Sequence, residues 1–253
     1  VNTLIGTKGV GLTSGYLYPG ATYPYGMVQF TPSYFSKRSG FVINQLSGGG
    51  CEHMGNFPTF PVKGKLKMSP DNILNYRINI SEEKGHAGYY EAKVQEDIHA
   101  KLTVTERTGM ASYEYPADQQ YGTVIIGGGI SATPIEQAAI VITAPNKCEG
   151  YAEGGNFCGL RTPYKVYFVA EFDTDALESG TWKRDELKPN TTFAEGEYSG
   201  VYFTFDVNKK KNIQYKIGVS YVSVENAREN LKAENTGWDF LQIQNQAESK
   251  WNH

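Results

Sequence analysis

The stretch LYPGATYPYGMVQFTPSYFSKRSGFVINQLSGGGCEHMGNFPTFPV, from Leu17 to Val62, is dense in glycine, proline and aromatic residues. Pro24-Tyr25-Gly26 is one of its turn signals, because proline presets φ and glycine accepts a positive φ. Gly26 to Thr31 is the one strand-like run in the stretch, and Pro32 is expected to end it. We therefore expect turns around a short strand here, and scaffold elements in the rest of the chain.

A glycine-rich segment, Ser47-Gly48-Gly49-Gly50-Cys51, lies near the end of this stretch. Such a segment cannot form the interior of a helix or strand without a large entropic cost, so another backbone or a ligand can approach it closely. Polar and reactive side chains follow directly, which makes the segment a candidate ligand-binding loop. A plain connection between strands is the alternative. The candidate binding residues are Gly48, Gly49, Gly50, Cys51, Glu52 and His53.

Composition limits the possible classes of protein. The chain has 253 residues, which suits one large all-β domain or two small ones. Its net charge of −3 argues against a role in nucleic-acid binding, which needs a basic face. No apolar run is long enough to span a membrane. The chain begins with Val1 and shows no signal peptide, so we expect a processed or trimmed product.

Aromatic residues are frequent, with 18 Tyr, 12 Phe and 3 Trp. Aromatic rings can stack on the apolar faces of sugars, which would suit a carbohydrate-binding protein. Tyrosine and phenylalanine are also good strand formers. Trp182 and Trp238 could likewise stack on sugar, but core or interdomain packing is the more common fate of tryptophan.

Alternating apolar residues predict strands through most of the chain. Ile98 to Val104 and Val166 to Phe172 each place every second residue on one buried face. About a dozen such runs, separated by regular turn signals, predict an all-β fold built as a large antiparallel β-sandwich. The predicted strands are Phe57–Leu66, Gly85–Val94, Asp97–Glu106, Gly109–Tyr115, Tyr121–Ile126, Ala138–Ala144, Lys165–Phe172, Tyr198–Val207 and Asn212–Val222.

The three cysteines leave their pairing open. Cys148 and Cys158 bracket a glycine-rich segment, Glu149 to Phe157, which we interpret as a loop. They could close a small disulfide loop in an oxidising compartment, or they could be two free thiols. Cys51 would then be unpaired, either lining a pocket or buried as a small hydrophobic residue.

The last 31 residues, 223–253, have helical character. Ser223 can cap a helix from Val224 to Glu234, and Gly237 separates it from a second helix that begins near Asp239. Phe240, Ile243, Ala247 and Trp251 share one face of this second helix. We expect that face to pack on a neighbouring domain, and the chain to be part of a longer protein.

Several short motifs occur in an order that resembles one known family. The opening VNTLIGT (1–7) is followed by PGATYPYGMVQ (19–29), GF (40–41), LSGGGC (46–51) and GN (55–56). This order resembles the N-terminal domain of glycoside hydrolase family 92, the calcium-dependent exo-acting α-mannosidases. The family pattern runs N-P-F-I-G-T, then P-G-A-x-x-P-F-G-M-V-Q, then G-F-S-H-T-H-x-S-G-x-G-C. A weaker match recurs at residues 216–222 and 225–231.

The resemblance implies a fold and an activity. Residues 1–222 would form a galactose-mutarotase-like supersandwich, and residues 223–253 would be linker helices leading to an (α/α)-barrel domain absent here. That barrel would hold the catalytic acid, the catalytic base and the calcium ligands. The complete enzyme would remove terminal α-mannose from mannose-containing glycans with inversion, in a secreted, periplasmic or cell-surface location. This chain would hold no catalytic residue and no cofactor, and it would lend residues 48–53 to the rim of the cleft.

Departures from the family pattern leave the preferred mannose linkage open. Val42-Ile43-Asn44-Gln45 stands where many members have Ser-His-Thr-His. An inverting glycosidase needs two separated carboxyl groups, and the acidic residues of this chain show no such pair. Glu52, beside His53, is the nearest candidate for an acid. His86 and His99 have no cysteine or carboxylate at ligand spacing, so a zinc site is not expected.

Two other classes of function remain. An independent carbohydrate-binding module would bind sugar as an isolated chain, whereas a cleft-contributing domain would bind little or none. A purely structural sandwich would respond to changes at Glu52 or His53 with altered stability and unaltered turnover.

Overall fold

In the computed structural model, two antiparallel sheets face each other across a core rich in aromatic rings. The structure describes residues 2–7, 17–33, 40–48, 51, 53–71 and 79–252. The predicted all-β sandwich with C-terminal helices is confirmed. No helix in these described ranges is both long and apolar enough to cross a membrane.

The strands are short near the N-terminus and longer after residue 80. They are β1 (Ala21–Thr22), β2 (Gln29–Pro32), β3 (Phe41–Val42), β4 (Thr59–Lys63), β5 (Ile80–His86), β6 (Tyr89–Val94), β7 (Ile98–Val104), β8 (Thr108–Glu114), β9 (Tyr121–Gly127), β10 (Ile135–Ala144), β11 (Lys147–Phe157), β12 (Leu160–Phe172), β13 (Glu178–Lys183), β14 (Glu186–Pro189), β15 (Phe193–Glu195), β16 (Ser199–Asp206) and β17 (Asn212–Ser220). The helices are α1 (Val224–Glu234) and α2 (Phe240–Trp251).

The opening stretch builds one end of the first sheet. That sheet has the strand order β1-β2-β3-β4-β9-β16-β13-β14, so four short N-terminal strands lie beside four later ones. The second sheet has the order β15-β10-β11-β12-β17-β8-β7-β6-β5. Strand β9 joins the two halves of the first sheet, because it pairs with β4 on one side and with β16 on the other.

The predicted alternation places the core correctly. Val166, Phe168, Ala170 and Phe172 on β12 are each at most 1% exposed, because successive side chains of a strand point to opposite faces. The largest fully buried side chains belong to both sheets. They are Trp182, Tyr90, Tyr113, Tyr215, Phe30, Phe41, Phe57, Phe60, Phe168, Phe172, Phe203 and Phe205.

Some predicted element boundaries are wrong. The predicted strand Gly85–Val94 contains the end of β5, a turn at residues 87–88, and β6. The segment from Glu149 to Phe157, interpreted as a loop, belongs to strand β11. Cys148 and Ala152 point into the core, and a Cβ at Gly150 would lie 2.1 Å from the carbonyl oxygen of Ala139 on the neighbouring strand. The glycine therefore permits close strand pairing instead of interrupting it. The prediction that Pro32 ends its strand is confirmed, because Pro32 is the last residue of β2.

Helix α1 begins and ends where the sequence predicts. The Ser223 side chain accepts a hydrogen bond of 3.1 Å from the backbone N–H of Asn226, which satisfies one free donor of the first turn. Ala227 and Leu231 pack on Val169 of β12. A Cβ at Gly218 would lie 2.9 Å from the Leu231 Cβ, so this glycine lets the helix lie directly on the sheet.

Helix α2 packs on the sandwich, which corrects the expected contact with a neighbouring domain. Ile243 is 6% exposed and Ala247 is fully buried. The Phe240 ring contacts the Tyr89 ring edge-on, with centroids 6.3 Å apart. The indole N–H of Trp251 donates a 2.8 Å hydrogen bond to the carbonyl oxygen of Thr22. The helical face is therefore largely satisfied within this chain, although Trp251 remains 45% exposed.

Candidate functional site

The glycine-rich segment is joined covalently to a distant hairpin. Cys51 forms a disulfide with Cys158, across 107 positions of sequence, with the two Cα atoms 5.4 Å apart. Cys148 is a free, buried thiol, and burial raises its pKa. The proposed pairing of Cys148 with Cys158 is therefore wrong. Cys148 lies within strand β11 and points into the core, whereas Cys158 lies in the turn beyond the strand.

The hairpin between β11 and β12 presents Cys158 to the Cys51 segment. Cys158 and Gly159 occupy the turn with positive φ values of 53° and 84°, a backbone form typical of tight hairpins. The Asn156 side chain accepts a 2.9 Å hydrogen bond from the Gly159 N–H. The disulfide therefore attaches the Cys51 segment to a defined turn, and Cys158 itself is exposed.

The His53 side chain is buried, with 7% of its surface exposed. Its ring meets Phe157 edge-on, with centroids 5.1 Å apart, and Tyr164 in the same manner at 5.7 Å. Its Nδ1 lies 3.3 Å from the carbonyl oxygen of Asn156, to which it donates when it carries a proton. His53 thus packs beneath the hairpin and holds the segment against it.

A network of polar side chains joins Asn44 and Asn56, which lie on either side of this segment and are buried, to Tyr164 of β12 and to Tyr221 just beyond β17. The side-chain NH₂ of Asn44 donates to the side-chain oxygen of Asn56 at 3.1 Å. The backbone N–H of Asn56 donates back to the side-chain oxygen of Asn44 at 2.8 Å. The Tyr164 hydroxyl donates to the same Asn56 oxygen at 2.9 Å. Asn44 also donates to the Tyr221 hydroxyl at 3.4 Å. Because the interior favours the neutral phenol, burial raises the pKa of Tyr164 to about 12.

The backbone beside this network is unusual. Met54, Gly55 and Phe57 all have positive φ values, of 57°, 73° and 54°. Left-handed backbone is costly for residues other than glycine and often occurs at functional sites. Both polar atoms of the buried Gln45 amide lack a hydrogen-bond partner within the described residues. Buried amides without partners commonly mark places where water or a ligand group completes the bonding.

Part of the predicted site lies outside the described residues, namely Gly49, Gly50 and Glu52. Gly48 is exposed with φ of 73°, and Cys51 is half-buried. Of the tryptophans considered as sugar platforms, Trp182 is fully buried in the core. Trp238 covers the ammonium group of Lys216, which lies 4.4 Å from the ring centroid.

The described residues contain no cluster of three or more histidine, cysteine or acidic side chains that could hold a metal ion. The residues described here therefore do not fit calcium, and no step of a reaction is assigned to a metal bound by them. His99 lies 3.8 Å from Glu91, and His86 lies 3.3 Å from Glu248. Each histidine thus lies within 4 Å of a different carboxylate.

Sequence reasoning missed the residues that organise the site. Asn44, Asn56 and Tyr221 each lay in a quoted stretch of sequence, and Tyr164 lay in none. Nothing in those stretches indicated that the four side chains meet, because each is polar or aromatic in a run that is consistent with an ordinary strand end. These residues lie far apart in the sequence and come into contact only in the folded chain, which a single sequence does not reveal.

A family model described as the glycosyl hydrolase family 92 N-terminal domain matches residues 1–220. The match covers both sheets and ends where β17 ends. It leaves α1 and α2 outside the matched range.

Similar proteins agree with this match. An uncharacterized secreted glycosidase of the fungus Arthroderma benhamiae is 26% identical over 290 aligned positions, covering 99% of this chain and 37% of the fungal protein. The family GH92 α-mannosidase BT3965 of Bacteroides thetaiotaomicron has a similar fold, with a TM-score of 0.83 and 24% identity, covering 99% of this chain and 37% of that one. The family GH92 inverting mannosidase BT2199 of the same species has a TM-score of 0.80 and 22% sequence identity, and the match covers 100% of this chain and 35% of that one. The chain therefore spans little more than a third of the length of these relatives.

Proposed function

Because the chain belongs to the glycosyl hydrolase family 92 N-terminal domains, we propose that it is the cleft-contributing β-sandwich of an enzyme that removes terminal α-mannose from glycans. The observation that carries this proposal is the family match over residues 1–220. The fold agrees with it, because two family GH92 mannosidases superimpose on nearly the whole chain. BT3965 has also been solved with mannoimidazole, which supports a mannose-type substrate.

We further propose a division of labour between this chain and a second domain. Residues 1–222 form the sandwich and 223–253 the linker helices, and the partner is an (α/α)-barrel that carries the catalytic acid, the catalytic base and calcium. Inverting hydrolysis needs two carboxyl groups held apart with water between them. The relative BT2199 is described as an inverting mannosidase, which supports inversion here. A secreted location is supported by the fungal relative, itself described as secreted.

The proposed substrate contact is the segment from Gly48 to His53. The disulfide to Cys158 and the packing of His53 on the hairpin hold Cys51 and His53 in place. A segment restrained in this way loses less conformational freedom when it meets a ligand, which favours binding. In this proposal the buried His53 positions the segment, and its neighbour Glu52 reaches the sugar.

The chain alone is expected to leave α-mannobiose intact, and the same chain joined to its barrel domain is expected to hydrolyse it. The reason is that the catalytic carboxyl groups belong to the barrel. Release of mannose is measured by chromatography, and proton NMR of the first product shows whether β-mannose, the inverted anomer, appears. Hydrolysis by the isolated chain, or α-mannose as the first product, would contradict the proposal. The need for calcium is tested by removing metal with a chelator, which should abolish hydrolysis, and by adding Ca²⁺, which should restore it.

Glu52→Ala in the complete enzyme is expected to lower kcat/KM for α-mannobiose at least about tenfold, through loss of a contact to substrate. Its unfolding midpoint should stay unchanged. His53→Ala should instead lower the free energy of unfolding by about 1–3 kcal/mol, because a buried ring is removed.

Glu229→Ala is the matched control for Glu52→Ala, since Glu229 is an exposed glutamate on helix α1. It should change neither kcat/KM nor stability. If Glu52→Ala alters stability and leaves turnover intact, the segment is structural and the proposed contact with substrate is wrong.

A further inference from the structure

A groove lies between helix α2, the link from α1 to α2, and the β7–β8 turn. It consists of two adjoining cavities of about 420 and 680 Å³, within the range typical of small-molecule sites. The residues lining both cavities are Tyr23, Asp239, Gln242 and Gln246. Of the candidate residues, the described ones (Gly48, Cys51 and His53) line neither cavity, so the groove is separate from them.

One wall of the groove is a stripe of uncharged hydrogen-bonding side chains. Gln242, Asn245, Gln246 and Ser249 recur at the spacing that places side chains on one face of a helix. Their side chains are exposed, and no hydrogen bond to another described residue engages them. An amide offers both a donor and an acceptor, so this stripe can bond to neighbouring hydroxyl groups in either sense.

The facing wall contributes an aromatic ring. Tyr23 is half-buried, packs partly against the core, and lines both cavities. The adjacent carbonyl of Thr22 accepts the indole N–H of Trp251, so the two walls are joined at the C-terminal end of α2. A fixed aromatic surface opposite polar amides presents the two features that a sugar ring needs, namely an apolar platform and partners for its hydroxyls.

The other end of the groove is also fixed. The Glu234 carboxylate accepts hydrogen bonds from the Arg107 backbone N–H at 2.8 Å and from the Thr105 hydroxyl at 2.6 Å, and it pairs with the Arg107 guanidinium. Asp239 caps helix α2 by accepting from the Gln242 N–H at 3.0 Å. A preformed groove loses little conformational entropy when a ligand binds.

The charges in the groove favour a neutral ligand. Arg107 and Glu234 satisfy each other, and the remaining lining charges, on Glu106, Asp239 and Lys250, are of mixed sign. A phosphate or nucleic acid would meet the carboxylates of Glu106 and Asp239 and a net charge of −3 on the chain. A polyhydroxylated, uncharged molecule meets neither obstacle.

We propose that this groove is an accessory binding site for a neutral, α-linked mannose oligosaccharide, distinct from the segment proposed to reach the catalytic cleft. The sugar class rests on the proposed function, whereas the position and the preference for a neutral polyol rest on the groove itself. The site would hold part of a glycan on the sandwich while another part is presented to the barrel.

The test is calorimetric titration of this chain with α-linked mannotrioses, alongside NMR of backbone and side-chain amides. We expect saturable binding without calcium, with shifts at Gln242 and Gln246 and none at Gly48, Cys51 or His53. Such binding would occur at the groove, so it departs from the expectation that a cleft-contributing domain alone binds little or no sugar without placing the sugar at residues 48–53. The double variant Gln242→Ala with Gln246→Ala should weaken binding about tenfold or more. The matched control is Gln244→Ala, a glutamine of the same helix whose amide donates to Glu248 instead of facing the groove. It should bind like the unaltered chain.

Tyr23→Ala should also weaken binding. Because Tyr23 packs against the core, circular dichroism must show that this variant is folded. The exposed glutamine pair avoids that difficulty. No binding, unaltered binding by the double variant, or equal binding of cellotriose would each overturn the proposal. If the chain binds no mannotriose but the complete enzyme hydrolyses α-mannosides, the binding site in the groove is rejected and the proposed function stands. Failure of hydrolysis would reject the proposed function whatever the groove binds.

Discussion

Replacing Phe172 by alanine is expected to lower the free energy of unfolding by about 3–5 kcal/mol, the largest effect of any single change considered. Phe172 is 1% exposed and lies between both sheets. Its ring centroid is 5.0 Å from those of Phe203 and Phe205 and 5.3 Å from that of Tyr215. Alanine removes the buried ring and leaves a cavity that these rigid neighbours cannot fill.

Equilibrium unfolding in urea measures this effect. The matched control is Phe193→Ala, because Phe193 is 53% exposed on the short strand β15. Its free energy of unfolding should change by no more than about 0.5 kcal/mol. Equal effects at the two positions would contradict the placement of Phe172 at the centre of the core.

Removing the disulfide, by Cys51→Ser together with Cys158→Ser, is expected to cost about 2–4 kcal/mol. The bond closes a loop of 107 positions, and long loops lose much entropy in the unfolded chain when they are cross-linked. The change should also loosen the segment after Cys51. Faster amide hydrogen exchange at residues 53–57 would report this, because the segment then lacks its covalent attachment to the hairpin.

A reducing agent provides the internal check. It should lower the unfolding midpoint of the unaltered chain to that of the double variant, and it should leave the double variant unchanged. Cys148→Ala is the control that removes the third thiol, and it should keep the sensitivity to reductant. If reductant has no effect on the unaltered chain, the Cys51–Cys158 bond does not form in solution.

Local patterns predicted most of the scaffold. The alternation from Val166 to Phe172 and from Ile98 to Val104 identified buried faces, because side-chain direction in a strand depends only on position along it. The cap at Ser223 predicted the start of α1 for a similar reason, since the residues that satisfy a helix terminus are sequence neighbours. The interpretation of residues 149–157 as a loop failed because glycine marks both turns and crowded strand pairs.

The candidate site was predictable only in outline. The motif order indicated where the glycine-rich segment lies in the chain and which family it resembles. It did not indicate that His53 faces inward, because that depends on the hairpin about a hundred residues later. The partner of Cys51 was missed for the same reason.

By itself, then, the sequence determined the all-β class, the strand periodicity, the two helices with the Ser223 cap of the first, and the family. Each of these depends on residues close together in the chain or on motifs in a given order. Only the tertiary structure decided the Cys51–Cys158 pairing, the network around Asn56, the docking of α2 on the sandwich and the groove beside Tyr23. Each of these requires segments far apart in sequence to meet, and their meeting is set by sheet order and packing, which no local pattern encodes.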